Sequence, residues 1–156
     1  ARRPIFSDTK TRQAMSYAFP KERLIRDIYM GLGQPILSDV HPDSLSYNQA
    51  LKPYDFDLDA AKKLLTDAGW SDSDGDGLLD RVVAGKRISF KFIIKYAANS
   101  PEWDNALVIY RTELKRIGIQ MEAVPQEWKE LLRVYEDRDL DGFRSRLLSA
   151  LAFLAD

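Results

Sequence analysis

The 156-residue chain has no cysteine and a single histidine. The first absence excludes disulfides, thiolate metal sites and a cysteine nucleophile, and it leaves the redox compartment open. The second bears on catalysis. A general base or a zinc centre needs partners, and none stands at recognisable spacing from His41, which precedes Pro42 and reads as a surface loop residue. No apolar run approaches the roughly 20 residues of a membrane span. The longest, Leu147 to Ala155, has nine residues and is interrupted by Ser149. Charge of one sign is also missing: 23 Lys+Arg stand against 24 Asp+Glu, a balance that argues against a nucleic-acid footprint. The chain opens Ala-Arg-Arg-Pro-Ile-Phe, without an initiator methionine or an apolar leader block, and so reads as a processed or excised piece. There is no Walker-type loop, no G-x-S-x-G elbow and no H-E-x-x-H. Gly31-Leu-Gly33 lacks the third glycine of a dinucleotide fingerprint. Together these absences disfavour a hydrolase or an NTPase.

What is present suffices for a core: 45% of the residues are hydrophobic, which at this length supports one domain of ordinary size. Ser7 and Asp8 are good caps ahead of a helix over residues 9–19, with Ala14, Met15 and Ala18 as its apolar stripe. Pro20 fits the start of a second helix to residue 30, whose inner face carries Leu24, Ile25, Ile28 and Tyr29, and which Gly31 and Gly33 stop. Residues 34–55 hold Pro35, Pro42 and Pro53 with little periodicity and read as a long loop. Asp57 caps a third helix that Gly69 closes. Residues 88–96 read as one buried strand, Val82-Val83 as strand, and residues 119–124, bounded by Pro125, as another strand. Between them Ser100-Pro101 starts a helix, with Trp103, Ala106, Leu107, Tyr110, Leu114 and Ile117 at helical spacing and Gly118 as its end. Strand, helix and strand in that order predict parallel pairing. A last helix is predicted over residues 126–137, with Trp128, Leu131, Leu132 and Tyr135 on one face.

The sharpest local motif is Asp72-Ser-Asp-Gly-Asp-Gly-Leu-Leu-Asp80. Aspartates at positions 1, 3 and 5 and Gly77 at position 6 copy the first half of an EF-hand loop, and Asp80 falls at position 9. Position 12 is Val83 rather than a bidentate glutamate, and the following segment is strand-like. Two readings stand: a calcium loop through Asp72, Asp74, Asp76 and Asp80, or an Asp/Gly turn held by its own side chains. Trp103 and Trp128 each open a helix after a strand, where open α/β sheets place ligands. Trp103 reads as a core anchor and Trp128 as a rim residue between Glu127 and Lys129. Arg138, Arg144 and Arg146 could fork onto a carboxylate or pair with Asp137, Asp139 and Asp141.

Several stretches together resemble one family. Phe6-Ser-Asp-Thr-Lys-Thr-Arg-Gln-Ala-Met-Ser-Tyr-Ala18 is similar to the opening of the second lobe of bacterial extracellular solute-binding protein family 5, the oligopeptide-, dipeptide- and nickel-binding components of ABC importers. The similarity continues through Lys21-Glu-Arg-Leu-Ile, the stretch from Tyr54 to Trp70, the Asp72 loop, Leu114-Lys-Arg-Ile-Gly-Ile and Glu127-Trp128, and covers about nine-tenths of the chain in family order. The resemblance implies an α/β, periplasmic-binding-protein-like (type II) lobe with a mixed sheet flanked by helices. Residues 1–156 would form a single domain, most of the second lobe of a two-lobed protein that catches its ligand by hinge closure.

Carried over by the resemblance, Trp128 matches the tryptophan at the pocket wall of peptide-binding members. Arg144, in Leu140-Asp-Gly-Phe-Arg144, matches a pocket arginine, and Glu102 matches another pocket-facing position. The family continues "G-W-x-x-D-Y", its aspartate receiving a peptide's amino terminus. Here Ala150 stands at that place, and Asp156 serves only if about four residues are inserted. The expected function is capture of a peptide-like solute in an interlobe cleft for an ABC import system, without catalysis, cofactor or resident metal. The expected partners are an oligopeptide or other small solute, a membrane-embedded ABC permease and the first lobe, with no nucleic acid. The expected location is periplasmic or the extracellular face of the bacterial membrane. The alternatives are a sensor or regulatory module reusing the fold, a receptor for a non-peptide solute such as a nickel chelate or oligosaccharide, and a calcium-stabilised structural domain.

Overall fold

The path of the chain is set by side chains that cap helices and by backbone that turns left-handed where the helices stop. The computed structural model describes residues 4–136 apart from 34, 36, 39 and 41–43. After a 3-10 turn at Pro4–Phe6, α1 spans Thr9–Tyr17. Asp8 opens it from an extended backbone, its carboxylate accepting from Thr11 N at 2.9 Å and from Thr11 Oγ1 at 3.1 Å. Helix α2 spans Lys21–Ile28 behind Pro20. Its end comes slightly earlier than the glycines suggest: Met30 already sits at φ +51°, Gly31 follows at φ +81°, and Gly31 N closes the turn onto the Ile25 carbonyl at 3.0 Å. Helix α3 spans Leu58–Asp67, with Asp57 accepting from Asp59 N and Ala60 N.

One expectation is corrected at Phe90. Residues 88–96 do not form one strand. They divide between β2 (Lys86–Ser89), which pairs antiparallel with β1 (Asp80–Val83), and β3 (Lys91–Ala97), which pairs parallel with β4 (Gln120–Gln126). The hairpin turn Ala84-Gly85 has both residues at positive φ, +50° and +77°, the geometry whose twist suits a two-residue hairpin. Phe90, fully buried, changes partner at the boundary. Its N–H donates to the Leu79 carbonyl at 2.7 Å, and its own carbonyl accepts from Gln120 N at 3.1 Å. Apolar alternation runs unbroken across that change, so periodicity did not mark it. The parallel pairing of the strands around the long helix is as expected. Strand β4 continues through Pro125, which lies opposite Tyr96; among the described residues β4 pairs with β3 alone, so the missing N–H breaks no ladder bond there. Helix α4 spans Pro101–Lys115 and tightens into 3-10-type bonds before Gly118, at φ +74°, releases the chain into β4. Helix α5 spans Trp128–Glu136.

The core joins both ladders to the helices. Phe92, Ile94 and Tyr96 of β3 and Met121 of β4 point into it, while Lys91 and Ile93 face outward. Phe90 meets Trp70 at 4.4 Å between ring centroids and Phe6 at 6.0 Å, and Trp70 Nε1 donates to Thr11 Oγ1 at 3.0 Å. Arg81 covers the outer side of the Trp70 ring, 4.6 Å from its centroid. Phe19 packs edge-on against Tyr110, whose hydroxyl donates to the Met15 carbonyl at 3.4 Å. The C-terminal half of α4 is locked to α2 by Glu113, a buried carboxylate that accepts from Arg23 Nη1 at 2.7 Å and Arg116 Nη1 at 2.6 Å.

Leu114, fully buried on α4, and Asp57, the exposed cap of α3, separate two kinds of contribution. Leu114→Ala is expected to cost about 3 kcal/mol, and Asp57→Ala about 1 kcal/mol. Urea unfolding followed by far-UV circular dichroism measures both. Equal losses would contradict this division between core and cap.

Candidate functional site

The parallel ladder brings two loop–helix junctions to one rim. Register pairs Ala97, the last residue of β3, with Gln126, the last of β4, and Ala98 N extends the ladder by donating to the Gln126 carbonyl at 2.8 Å. Beyond the two carboxyl ends the chain enters α4 and α5. The expected Glu102 and Trp128 therefore fall in the first turns of helices that leave neighbouring strands on the same side, the place where open α/β sheets hold ligands.

At the α4 junction Asn99 turns the chain at φ +66°, Pro101 takes the first helical position, and Ser100 Oγ donates to Glu102 Oε2 at 3.2 Å. Glu102 and Asp104 put two carboxylates in the first turn, where the exposed N–H groups of the helix favour negative charge. Asp104 is anchored downward: Tyr96, near the end of β3, donates its hydroxyl to Asp104 Oδ1 at 2.5 Å. That bond, helped by burial and by the Asp104 charge, raises the Tyr96 phenol above its ordinary value. The Tyr29 phenol, half-buried just past the end of α2, is raised by burial and then by the negative charge of Glu102. Trp103 is partly buried and packs against the core, as expected of an anchor.

At the α5 junction Trp128 stands 63% exposed. The helix holds itself to the fold through Leu131, which is buried, while Leu132 remains exposed beside Trp128 on the next turn. An apolar ring raised from the surface at a sheet's carboxyl edge can stack on a ligand's apolar groups, and Glu102 can accept hydrogen bonds from its N–H groups. Arg144 and Asp156 lie outside the described residues, as do His41, Arg138, Arg146 and the run from Leu147 to Ala155. Sequence reasoning passed over Tyr29 and the Tyr96–Asp104 pair. Tyr29 sat on an apolar helix stripe and read as core. The alternation of Phe92, Ile94 and Tyr96, combined with the place of Asp104 in the first turn of its helix, was the one signal for the second.

The acidic loop is a separate place on the molecule. Carboxylate oxygens of Asp72, Asp74 and Asp76 lie within 4.8 Å of one another, and all three residues are exposed. Asp80 is not with them. It is 5% exposed and accepts from Ser73 Oγ at 2.8 and 2.9 Å and from Ser73 N at 3.2 Å. Strand β1 starts at Asp80 where an EF-hand would place its exiting helix.

Residues 1–150 match the bacterial extracellular solute-binding proteins, family 5 Middle, and the chain belongs to that family of solute-binding proteins. Oligopeptide-binding protein AppA of Bacillus subtilis is 30% identical over 130 residues, 82% of this chain and 23% of AppA. Its structure in complex with a nonapeptide superposes with a TM-score of 0.74 over 83% of this chain and 25% of that one. The oligopeptide binding protein of Thermus thermophilus, complexed with a pentapeptide, is 26% identical with a TM-score of 0.76, over 85% of this chain and 23% of that one. Heme-binding protein A of Haemophilus influenzae is 26% identical over 137 residues, 88% of this chain and 22% of its own length. The fold is that of type II periplasmic binding proteins, α/β with parallel and antiparallel pairing, and the chain spans about a quarter of the length of these relatives.

The Tyr96–Asp104 bond has a measurable signature. Because the folded phenol titrates above its unfolded value of 10.0, its contribution to stability is fully present below that pH and is lost as pH rises through the folded value. Tyr96→Phe is expected to remove one phenol from the late-ionising group in an ultraviolet titration and to flatten the alkaline fall of the thermal midpoint. An unaltered late-ionising group would refute the bond.

Proposed function

We propose that this chain forms one wall of an interlobe cleft in the substrate-binding component of a bacterial ABC importer, and that the solute is peptide-like. The observation that carries this reading is Trp128, an exposed ring at the carboxyl edge of the parallel ladder in a chain whose relatives include proteins named for oligopeptide binding. Residues 1–156 are then most of the second lobe, and Glu102, Trp128, Arg144 and Asp156 are the candidate contacts. Trp128 contributes apolar area, Glu102 accepts from backbone or side-chain N–H groups, and closure against the first lobe removes water from both. Binding and release rather than bond-making is the chemistry of such a rim. Its further partner is a membrane-embedded permease, and its place is the periplasm or the outer face of the cell membrane.

A non-peptide solute is the second reading. It is favoured by two observations: Ala150 stands where the resemblance places an amine-binding acid, and one relative is named for heme.

Native mass spectrometry of the full two-lobed protein, purified without denaturation, is expected to reveal copurifying peptide masses. Trp128→Ala is expected to weaken binding of a mixed peptide pool about tenfold, or about 1.4 kcal/mol. The absence of any peptide mass, together with no melt shift from a peptide library, would overturn the peptide assignment. A copurified porphyrin or metal chelate would establish the second reading.

A further inference from the structure

Two Asp–Gly bonds, Asp74–Gly75 and Asp76–Gly77, stand in the exposed loop between α3 and β1. Such bonds isomerise without an enzyme, because glycine has no side chain to keep its backbone nitrogen from the preceding carboxyl carbon. In that step the glycine nitrogen bonds to the aspartate Cγ, its proton and the carboxyl hydroxyl leave as water, and a five-membered succinimide closes. Water then opens the ring at one of its two carbonyls. One opening restores aspartate; the other gives isoaspartate, in which the main chain runs through the side-chain carbon. No oxidant, reductant or cofactor enters the balance.

Both attacking nitrogens are already engaged. Gly75 N–H donates to Asp72 Oδ1 at 2.8 Å, and Gly77 N–H donates to Asp72 Oδ2 at 2.9 Å. One carboxylate thus holds both nucleophiles through charge-assisted bonds and fixes the direction of each N–H. The two carboxyl groups under attack are held unequally. Asp74 pairs with Arg87 Nη1 at 3.0 Å and also accepts from Asp76 N at 3.4 Å. Among the described residues, Asp76 accepts from Leu78 N at 2.8 Å.

We propose that Asp76–Gly77 is a site of isoaspartate formation and that Asp72 is the positioning residue that suppresses the reaction by holding the Gly77 nitrogen. The bond matters to the fold because its neighbour is a helix end. A Cβ built on Gly118 would come within 3.3 Å of the Gly77 carbonyl, and Leu79 N donates to the Gly118 carbonyl at 2.7 Å. One extra main-chain carbon at residue 76 presses on the turn where α4 gives way to β4. The inference is independent of what the rim binds.

The test follows isoaspartate in the 156-residue chain held at neutral pH and physiological temperature, by peptide mapping with enzymatic methylation of isoaspartyl carboxyls. Wild type is expected to modify slowly. Asp72→Ala is expected to modify about tenfold faster, with residue 76 ahead of residue 74. Asp72→Asn, which retains one acceptor oxygen, is expected to fall between them, and adding Asp76→Glu is expected to abolish the signal at residue 76. A rate in folded Asp72→Ala no higher than wild type overturns the role of Asp72, and faster reaction at residue 74 overturns the choice of site. If Asp72→Ala does not fold, amide exchange in the wild-type chain decides. Gly77 protected relative to an unstructured peptide of the same loop supports the proposal, and Gly77 exchanging at the peptide's rate refutes it.

Discussion

Everything at the rim depends on one parallel ladder. With β3 and β4 in register from Lys91 opposite Gln120 to Ala97 opposite Gln126, both strands deliver their following helices to the same side. A hairpin between the same two strands would have sent Glu102 and Trp128 to opposite ends. The crossover through α4 forbids that outcome, because a parallel pair needs a long connection, and α4 supplies it while burying Ala106, Leu107, Tyr110 and Leu114 against the core. The helix that closes the topology also carries one of the rim residues, so packing and site are the same decision.

Helix α4 is held differently at its two ends, and the contrast fits its two tasks. The C-terminal end is fixed inside the protein by Glu113 between Arg23 and Arg116, and by the Gly118 turn against Leu79. Removing either arginine would leave a buried carboxylate with half its compensation, which makes this end costly to move. The N-terminal end carries its charge outward. Asp104 is tied to Tyr96, whereas Glu102, which is exposed, accepts among the described residues from the serine hydroxyl at the helix cap. A rim that must release what it binds needs a rigid base and groups whose hydrogen-bonding capacity is not used up within the fold.

Much of this was legible in the sequence because it is written in local rules. Asp8 and Asp57 announce helix starts, Gly69 and Gly118 announce ends, and the stripe from Trp103 to Ile117 announces a helix facing one core. The order strand, helix, strand then implies the parallel ladder. Phe90 was illegible because its neighbours keep the same alternation while the hydrogen-bond partner changes, and side-chain pattern carries no record of partner. Pro125 misled in the other direction: a proline ends a strand only where its N–H is needed for the ladder, and among the described residues β4 pairs with β3 alone. At the site, Trp128 could be placed by its position after a strand and Glu102 through the family resemblance, whereas Tyr29 could not. The charge of Glu102 acts on it through the packing of α2 against α4, a tertiary fact.

The Asp72 loop shows how one composition serves different ends. Three aspartates in alternation look like cation ligands when read as a string. In the fold, the carboxylate of Asp72 faces the loop's own N–H groups, Asp74 faces Arg87, and Asp80 has turned inward to Ser73. These bonds satisfy backbone donors, a serine hydroxyl and a neighbouring cation that would otherwise be left to water, and together they explain why the loop needs so many acids. The acids close the loop on itself, and the closed loop is what seats Gly77 beneath Gly118. The loop stands where α4, the longest of the described helices, meets the strand that leads to Trp128.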